Sequence, residues 1–456
     1  MTNELIAKAL ESADETRDIE FGFNVLEETG PLFKRLFPGM KAIVVADDNT
    51  FAAAGQPAVD SLRAAGVEMA EPFIFPGTPT LHSDYKHVDT LREHIRPLEN
   101  TIVCSVASGT LNDIAKLASH ELDREYMNVC TAASVDGYCS FGAPIAIDGF
   151  KITRNCPAPA GAVADLQVMA DAPQRLTATG YGDLIEKIPA GADWILADEL
   201  GIEAIDPYVW GLVQGTLMHA LENPEVIATG DPHAIEGLAE GNIMSGLAMQ
   251  AAKSSRPASG AGHQFSHLWE MEGHGQEWEP PLSHGFKVGI GTIASCALWQ
   301  YAIENLDLEH LDVEAIVANA TPDDVVEQQV NDALIPIIAA EAVKHSVGKN
   351  LHGEELRNRL LTIQQAWPAI KERASKQLLA PEDIAARLKA VGAPYHPELI
   401  EIDQDRLHES YFKARMIRPR YTIFDVLWDT QTFTQAVDAL FEPDGFWGRH
   451  ATADTI

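Results

Sequence analysis

The segment TIVCSVASGTLNDIAK, residues 101–116, decides the fold class because it combines an apolar strand at 101–107, a turn of small residues and the start of a helix. Other apolar, β-rich runs lie on either side of it, at residues 41–47 (KAIVVAD), 72–77 (PFIFPG) and 127–134 (MNVCTAAS). Helical patterns at 50–65 and 84–95 separate these runs. Parallel strands need long connections that are usually helical, so the alternation predicts a parallel α/β sheet of the nucleotide-binding type.

The flanks of this region predict further elements. Residues 1–22 are acidic and amphipathic, which predicts a surface helix. Residues 143–154 (APIAIDGFKITR) alternate about Asp148-Gly149, a pattern typical of a β-hairpin, and residues 162–170 (AVADLQVMA) are expected to form the last strand. The pattern changes at Asp171-Ala172-Pro173, so we expect residues 1–173 to form an N-terminal α/β dinucleotide-binding domain.

Residues 174–456 are expected to form a second, all-α domain that binds metal and substrate. A chain of 456 residues is too long for one compact core, and two domains are the ordinary expectation. Helical periodicity predicts helices at 207–223, 233–253, 289–305, 323–346, 354–378 and 381–391. No low-complexity linker separates the two parts, which favours a shared interface.

The composition limits the possible partners and the compartment. With 33 Lys and Arg against 67 Asp and Glu, the formal charge of -34 disfavours nucleic acid and anionic membranes as partners. The five cysteines form no CxxC pair, so neither a disulfide framework nor a zinc ribbon is indicated, and a reducing cytoplasm is expected. The first residues do not resemble a signal peptide, and no apolar run is long enough for a membrane span.

Two strand ends carry residues suited to a nucleotide. The turn Ala107-Ser108-Gly109-Thr110, followed by Leu111, could bring backbone N–H groups and a helix N-terminus close to a pyrophosphate, although short turns of this kind are also plain connections. Asp47 ends the first clear strand and could bind a ribose hydroxyl. The sequence equally allows Asp47 to cap the helix that contains Thr50.

Histidines cluster in residues 255–292, SRPASGAGHQFSHLWEMEGHGQEWEPPLSHGFKVGIGT. His263 and His267 are four residues apart and share one helical face. Gln264 stands where a zincin peptidase needs its catalytic glutamate, so peptidase chemistry is disfavoured. His274 is interpreted as a loop residue without a role in the site.

A carboxylate could complete a metal site with two of these histidines. Asp183 lies in LTATGYGDLIEK beside Gly180 and Gly182. Glycines cost about 1 kcal/mol each in a helix interior, which suggests that another segment approaches closely there. Asp183, His263 and His284 would suit a divalent metal with open positions for substrate. A solvated aspartate with buried or capping histidines is the alternative.

Six motifs together resemble the bacterial sn-glycerol-1-phosphate dehydrogenases, within the dehydroquinate synthase-like, metal-dependent alcohol dehydrogenase superfamily. The matching text is SGTLNDIAK (108–116), TAASVDGYCS (131–140), GYGDLIEK (180–187) with ADW (192–194), SRPASGAGHQFSH (255–267), SHGFKVGIGT (283–292) and ARMIRPRYTIFDVL (414–427). The resemblance implies reduction of dihydroxyacetone phosphate to sn-glycerol 1-phosphate by NADH or NADPH, a step of phospholipid synthesis, in a homodimer.

The resemblance also implies roles for individual residues. NAD or NADP would contact a set at the strand ends, namely Asp47, Ala107, Ser108, Gly109, Thr110, Leu111, Thr131, Ala132, Ala133, Ser134 and Ser140. Asp183, His263 and His284 would bind one divalent ion, zinc or nickel foremost. Asp136, Asp183 and His267 would hold the substrate, with Asp183 and His267 as the catalytic pair.

Three positions depart from the family pattern: Ala107 replaces a glycine, and Gly262 and Phe286 replace glutamates that flank the metal histidines. Lys151, Arg256 and Lys287 lie near the motifs and could meet a phosphate, with a solvated or capping residue as the alternative for each. The alternatives are another polyol dehydrogenase, a carbocycle synthase of the same superfamily, or a non-catalytic nucleotide or metabolite binder.

Overall fold

The computed structural model describes residues 2–147 and 150–456. Within them lie eight strands: β1 (Asp18–Gly22), β2 (Lys41–Asp47), β3 (Phe73–Phe75), β4 (Thr101–Ala107), β5 (Tyr126–Cys130), β6 (Ala143–Ile147), β7 (Phe150–Arg154) and β8 (Gly161–Asp165). A parallel six-stranded sheet has the order β1-β8-β5-β4-β2-β3, and β6 pairs with β7 in an antiparallel ribbon. The predicted parallel α/β sheet is therefore confirmed.

Helices cover both faces of the sheet. The N-terminal helices are α1 (Thr2–Leu10), α2 (Thr29–Leu36), α3 (Asp48–Thr50), α4 (Gln56–Ala64), α5 (Tyr85–Ile95), α6 (Gly109–His120) and α7 (Leu166–Ala170), with a π-turn at Phe51–Gly55 and a 3₁₀ turn at Val25–Glu28. Successive strand residues point to opposite faces. Val44 of β2 packs in the core under α2 and α4, whereas Ile43 and Val45 pack in the core under α5 and α6. This two-sided burial explains why the strand is apolar throughout.

The sheet contains a topological switch point between β2 and β4. The chain leaves β2 toward β3 at one edge, whereas it leaves β4 toward β5 and the opposite edge. In sheets of this kind, ligands bind in the crevice beyond the carboxyl ends of the two strands that flank the switch. Asp47 and Ala107 are the last residues of those strands.

Three predicted boundaries in this part are wrong. Residues 1–22 are not one helix, because α1 ends at Leu10 and β1 adds a sixth strand to the sheet edge beside β8. The strand expected at 162–170 stops at Asp165, whose Oδ1 accepts a hydrogen bond from the Gln167 amide at 3.0 Å and starts α7. The strand expected at 127–134 ends at Cys130. The β6–β7 pairing confirms the hairpin, while its predicted turn at Asp148-Gly149 lies outside the described residues.

From residue 174 onward the described elements are helical. They are α8 (Gln174–Leu184), α9 (Lys187–Glu199), α10 (Pro207–Ala220), α11 (Pro224–Ile227), α12 (Pro232–Ala252), α13 (Ala261–Met271), α14 (His284–Asn305), α15 (Val313–Ala318), α16 (Asp323–Ala333), α17 (Pro336–Lys349), α18 (Gly353–Gln377), α19 (Pro381–Val391), α20 (Gln404–Met416), α21 (Ile423–Asp429), α22 (Phe433–Phe441) and α23 (Phe446–Arg449), with 3₁₀ turns at Pro397–Ile400 and Ala453–Thr455. The single helix predicted at 323–346 is wrong, since Pro336 disfavours helix in the residue before it and a new helix begins there.

One large apolar core joins the helical part to the sheet, and it includes Phe21 of β1, Cys130 of β5 and Trp299 of α14. Helix α14 lies at its centre, with α8 and α13 packed against it. In the part of the chain that is described, no helix is both long and apolar enough to cross a membrane.

Candidate metal and cofactor site

Three side chains from three helices meet where α8, α13 and α14 converge. Asp183 of α8, His263 of α13 and His284, the first residue of α14, each place a ligand atom within 4.8 Å of the others. The Asp183 Oδ1 atom lies 3.4 Å from His263 Nε2. Two metal–ligand bonds of about 2.1 Å at a tetrahedral angle would separate their ligand atoms by about 3.4 Å. The spacing and the N₂O donor set therefore fit a divalent ion.

The glycines beside Asp183 explain how α8 reaches this position. A Cβ atom on Gly180 would lie 1.9 Å from the Ala133 carbonyl oxygen, and one on Gly182 would lie 2.5 Å from the carbonyl oxygen of Gly285. Helix α8 thus packs backbone to backbone between the loop after β5 and the start of α14. The predicted close approach at these glycines is confirmed.

Two buried glutamates contact the histidines of the cluster. Glu186 places Oε2 at 2.8 Å from His263 Nδ1. Glu270 of α13 accepts a hydrogen bond from His284 Nδ1 through Oε1 at 2.9 Å. In both histidines the contact uses Nδ1, and in His263 the opposite ring nitrogen faces Asp183.

Lys187 is a buried cation within this acidic cluster. Its ammonium lies 2.8 Å from Asp136 Oδ2 and 3.3 Å from Asp183 Oδ1. Burial by itself would raise the pKa of Asp183, but Lys187 and His263 hold that pKa well below its usual range. Burial likewise opposes the charge of His263, but Glu186 and Asp183 raise its pKa to about 9.

His267 lies beside the cluster rather than in it. Its ring centroid is 5.8 Å from that of His263 and 5.7 Å from that of His284. Burial, reinforced by the charge of Arg418, lowers the pKa of His267 to about 3, which keeps the imidazole neutral. The His267 side chain is 21% exposed and that of His284 is 25% exposed, whereas Asp183 is fully buried. The cluster therefore opens toward solvent on the side of His267 and His284.

The predicted cofactor residues lie together at the carboxyl edge of the sheet. Asp47 ends β2, the turn 107–111 follows β4, and Thr131 donates its amide to the Ala107 carbonyl oxygen at 3.1 Å. The Ser108 hydroxyl makes no capping bond to α6 in the described structure. Asp47 does cap its helix, with Oδ1 accepting from the Thr50 amide at 2.8 Å. The capping interpretation is thus confirmed, and a ribose contact by Asp47 stays a prediction.

The loop after β5 connects this edge to the metal cluster. Asp136 donates its amide to Asp183 Oδ2 at 3.1 Å, and its own Oδ2 accepts from the Ser245 hydroxyl at 2.8 Å. Lys116 donates to the carbonyl oxygens of Gly137, Ser140 and Gly142, and the Ser140 hydroxyl donates to Gly137 O at 3.1 Å. Ala132, Ala133 and Ser134 are buried between these groups and α8. The predicted cofactor and metal residues are therefore contiguous.

The cations considered for a phosphate have other contacts. Arg256 donates to the carbonyl oxygens of Tyr421 and Asp193, at 3.0 and 2.8 Å, and Lys287 donates to Leu282 O at 3.2 Å. The side chain of Lys151 lies outside the described ones. His274, interpreted as a loop residue, contacts Ile400 O and Arg406 away from the cluster.

Sequence reasoning missed Glu186, Lys187 and Glu270. The missed signal was helical spacing, because Glu186 and Lys187 follow Asp183 by three and four residues, and Glu270 follows His267 by three and His263 by seven. Residues at these separations lie on one face of a helix. Each missed residue could therefore have been found from the position of a residue that was already a candidate.

Comparison with known proteins supports the same architecture. The sequence profile of the iron-containing alcohol dehydrogenases matches residues 20–173. The chain is 36% identical over 258 residues to a glycerol-1-phosphate dehydrogenase [NAD(P)+] from Halalkalibacterium halodurans, an alignment that covers 56% of this chain and 64% of that protein. It is 30% identical over 315 residues to a glycerol-1-phosphate dehydrogenase [NAD(P)+] from Pyrococcus furiosus, and that alignment covers 68% of this chain and 88% of that protein.

Among solved structures, a probable glycerol dehydrogenase from Sinorhizobium meliloti superposes with a TM-score of 0.58 at 16% identity, over 93% of this chain and 98% of that one. At this identity the likeness shows the fold alone. The alignment with the Halalkalibacterium relative spans a little less than two thirds of that protein, whereas the Pyrococcus relative is covered over most of its length.

Proposed function

We propose, because the chain belongs to the glycerol-1-phosphate dehydrogenase family, that it reduces dihydroxyacetone phosphate to sn-glycerol 1-phosphate with NADH or NADPH. The observation that carries this proposal is the hydrogen bond from the Asp136 amide to Asp183 Oδ2 at 3.1 Å. It links a buried metal-type cluster to the loop that follows the cofactor edge of the sheet. A ketone held at Asp136 would therefore lie between a hydride source and a metal.

Asp183, His263 and His284 would hold the ion. When bound there, a divalent metal supplies Lewis acidity toward the ketone oxygen, where negative charge grows as hydride arrives. Zinc or nickel is proposed first, although the same donors accept iron or manganese. Lys187 keeps Asp183 ionised, and Glu186 and Glu270 contact the imidazoles of His263 and His284. His263, whose pKa is raised to about 9, would release a proton when an ion binds.

The cofactor is proposed to lie across the switch point. A reduced nicotinamide supplies the hydride, and the protein sets its position and distance. Ser108, Gly109, Thr110 and Leu111 present backbone amides at the start of α6 to the pyrophosphate. Asp47, on the neighbouring strand, is proposed to accept from a ribose hydroxyl, which would disfavour the 2′-phosphate of NADP.

His267 is proposed to pass the proton that the new alkoxide needs. Its lowered pKa keeps it neutral, so it relays a proton from solvent instead of storing one. Its side chain is partly exposed, which gives water access to the ring. Asp136 is proposed to accept from the substrate hydroxyl.

Arg418 is the cation that we assign to the substrate phosphate. The positive charge of Arg418 helps to lower the pKa of His267. Burial lowers the pKa of Arg418 itself, and the negative charge of Glu270 partly offsets that effect. The Arg418 guanidinium is therefore near enough to His267 and Glu270 for their charges to interact. Arg256 and Lys287, by comparison, donate to backbone carbonyl groups.

The proposed setting is a cytoplasmic homodimer without nucleic-acid or membrane partners. All five cysteines are buried free thiols, which suits a reducing compartment. A formal charge of -34 opposes polyanionic partners.

Turnover with dihydroxyacetone phosphate, measured across a panel of metals with NADH and NADPH, tests the proposal. Steady consumption of reduced cofactor separates it from a carbocycle synthase, which regenerates its NAD. Another ketone as the only productive substrate would indicate a different polyol dehydrogenase. A protein that binds no divalent ion would indicate a non-catalytic nucleotide or metabolite binder.

A further inference from the structure

Glu270 stands between two histidines that come from different helices. Its Oε1 accepts from His284 Nδ1 at 2.9 Å, and its Oε2 lies 3.5 Å from His267 Nδ1. The carboxylate side chain is 6% exposed, so water screens neither contact well. One buried carboxylate thus faces the same ring nitrogen of a candidate metal ligand and of a candidate substrate residue.

The chemistry of this arrangement restricts where the ring protons lie. An ionised carboxylate only accepts hydrogen bonds, and a neutral imidazole carries one N–H. A carboxylate beside Nδ1 therefore favours the Nδ1–H tautomer, which leaves the lone pair on Nε2. In His284 that lone pair is available to a metal, and in His267 it is available to take up a proton from water and pass it to the substrate.

Glu186 lies beside His263, with Oε2 2.8 Å from Nδ1, and Gly262 makes room for it. A Cβ atom on residue 262 would lie 2.8 Å from Glu186 Cγ and 3.1 Å from its Oε1. In the family pattern glutamates stand at positions 262 and 286, where this chain has Gly262 and Phe286. The carboxylates that contact His263 and His284 come from Glu186 and Glu270.

We propose that Glu270 is a positioning residue that fixes the Nδ1–H tautomer of both His284 and His267, and so couples the metal site to the substrate histidine. The proposal concerns the site of the proposed function, but it rests on contacts that exist without substrate. A change at Glu270 should alter metal affinity through His284 and proton placement through His267 together.

The test compares wild-type protein with Glu270→Gln and with the control Glu272→Gln. Glu272 lies two residues further on and pairs with Arg406 at 3.0 Å instead of with a histidine. Histidine ring nitrogens are labelled with ¹⁵N, and their shifts are read in metal-free protein. His267→Asn and His284→Asn assign the signals, and zinc affinity is measured by competition with a chromogenic chelator.

Wild-type protein and Glu272→Gln are expected to show Nδ1–H in both rings. A carboxamide can accept from one ring but donates to the other, so Glu270→Gln should move one of the two histidines to Nε2–H. Zinc affinity should fall about 10- to 100-fold in Glu270→Gln and stay within twofold in Glu272→Gln. If Glu270→Gln does not fold, the tautomers of His267 and His284 in the wild-type protein still test the proposal, which requires Nδ1–H in both rings.

An Nε2–H tautomer in either wild-type ring, or unchanged tautomers and zinc affinity in folded Glu270→Gln, would overturn the proposal. None of these readouts uses dihydroxyacetone phosphate. The tautomer proposal can therefore be correct even if the protein does not reduce dihydroxyacetone phosphate. Likewise, the proposed activity can be correct even if Glu270 does not fix the tautomers.

Discussion

The Nζ atom of Lys187 lies 3.3 Å from Oδ1 of Asp183, and both side chains are fully buried. The same ammonium lies 2.8 Å from Asp136 Oδ2. One cation thus neutralises the carboxylate assigned to the metal and the one assigned to the substrate. Without this cation, two buried carboxylates would lie close together.

Replacing Lys187 with methionine should destabilise the metal-free protein by about 3–5 kcal/mol, because it leaves buried carboxylates without their cation. Urea denaturation measures the free energy of unfolding. The control is Lys376→Met, which removes an exposed pair with Glu372 and should change stability far less. Equal losses of unfolding free energy in the two variants would show that Lys187 does not stabilise the fold by neutralising the buried carboxylates.

Replacing Gly180 with alanine should lower stability, although alanine ordinarily favours a helix by about 1 kcal/mol. The new methyl group would lie 1.9 Å from the Ala133 carbonyl oxygen, so α8 or the loop 131–134 must move. Binding of NADH, followed by its fluorescence, should weaken as well. Gly215→Ala, in open space on α10, is the control and should be neutral or stabilising. A stabilised Gly180→Ala variant with unchanged NADH affinity would contradict the close packing.

Replacing Asp47 with asparagine should separate its two roles. Asparagine caps a helix about as well as aspartate, so stability should change by less than about 0.5 kcal/mol. The ratio of NADPH to NADH affinity should rise, because the carboxylate no longer repels a 2′-phosphate. Asp165→Asn is the control, since Asp165 caps α7 at the end of β8, away from the switch point. An unchanged ratio of NADPH to NADH affinity in Asp47→Asn would show that Asp47 caps its helix without contacting the ribose.

Much of the sheet was predictable because its strands are buried on both faces. Lys41–Asp47 and Thr101–Ala107 were predicted with the bounds that the structure shows, since continuous apolar runs have clear ends. β1 was missed because Asp18–Gly22 is a short edge strand that alternates buried with partly exposed residues inside an acidic segment. The break between α16 and α17 depends on Pro336, which the helical periodicity around it obscured.

The site was predictable in its residue types but not in its arrangement. Asp183, His263 and His284 are far apart in sequence, and only the packing of α8, α13 and α14 brings their ligand atoms within 4.8 Å. Their roles, and those of Asp136 and His267, stay predictions. Helical spacing places Glu186 and Glu270 near candidate residues, but a glutamate on a helix is ordinarily a solvated charge, and only the fold shows that these two are buried. Both glutamates contact histidines of the candidate site.

The most direct test of the proposed function is the rate of NADH oxidation by protein stripped of metal and then reloaded with zinc or nickel, with dihydroxyacetone phosphate as the only ketone. Reloading should restore turnover, with one NADH consumed for each glycerol 1-phosphate formed, and Asp183→Ala should stay inactive under every metal. Reloaded protein that oxidises no NADH with this substrate but does so with another ketone, or an active Asp183→Ala variant, would contradict it.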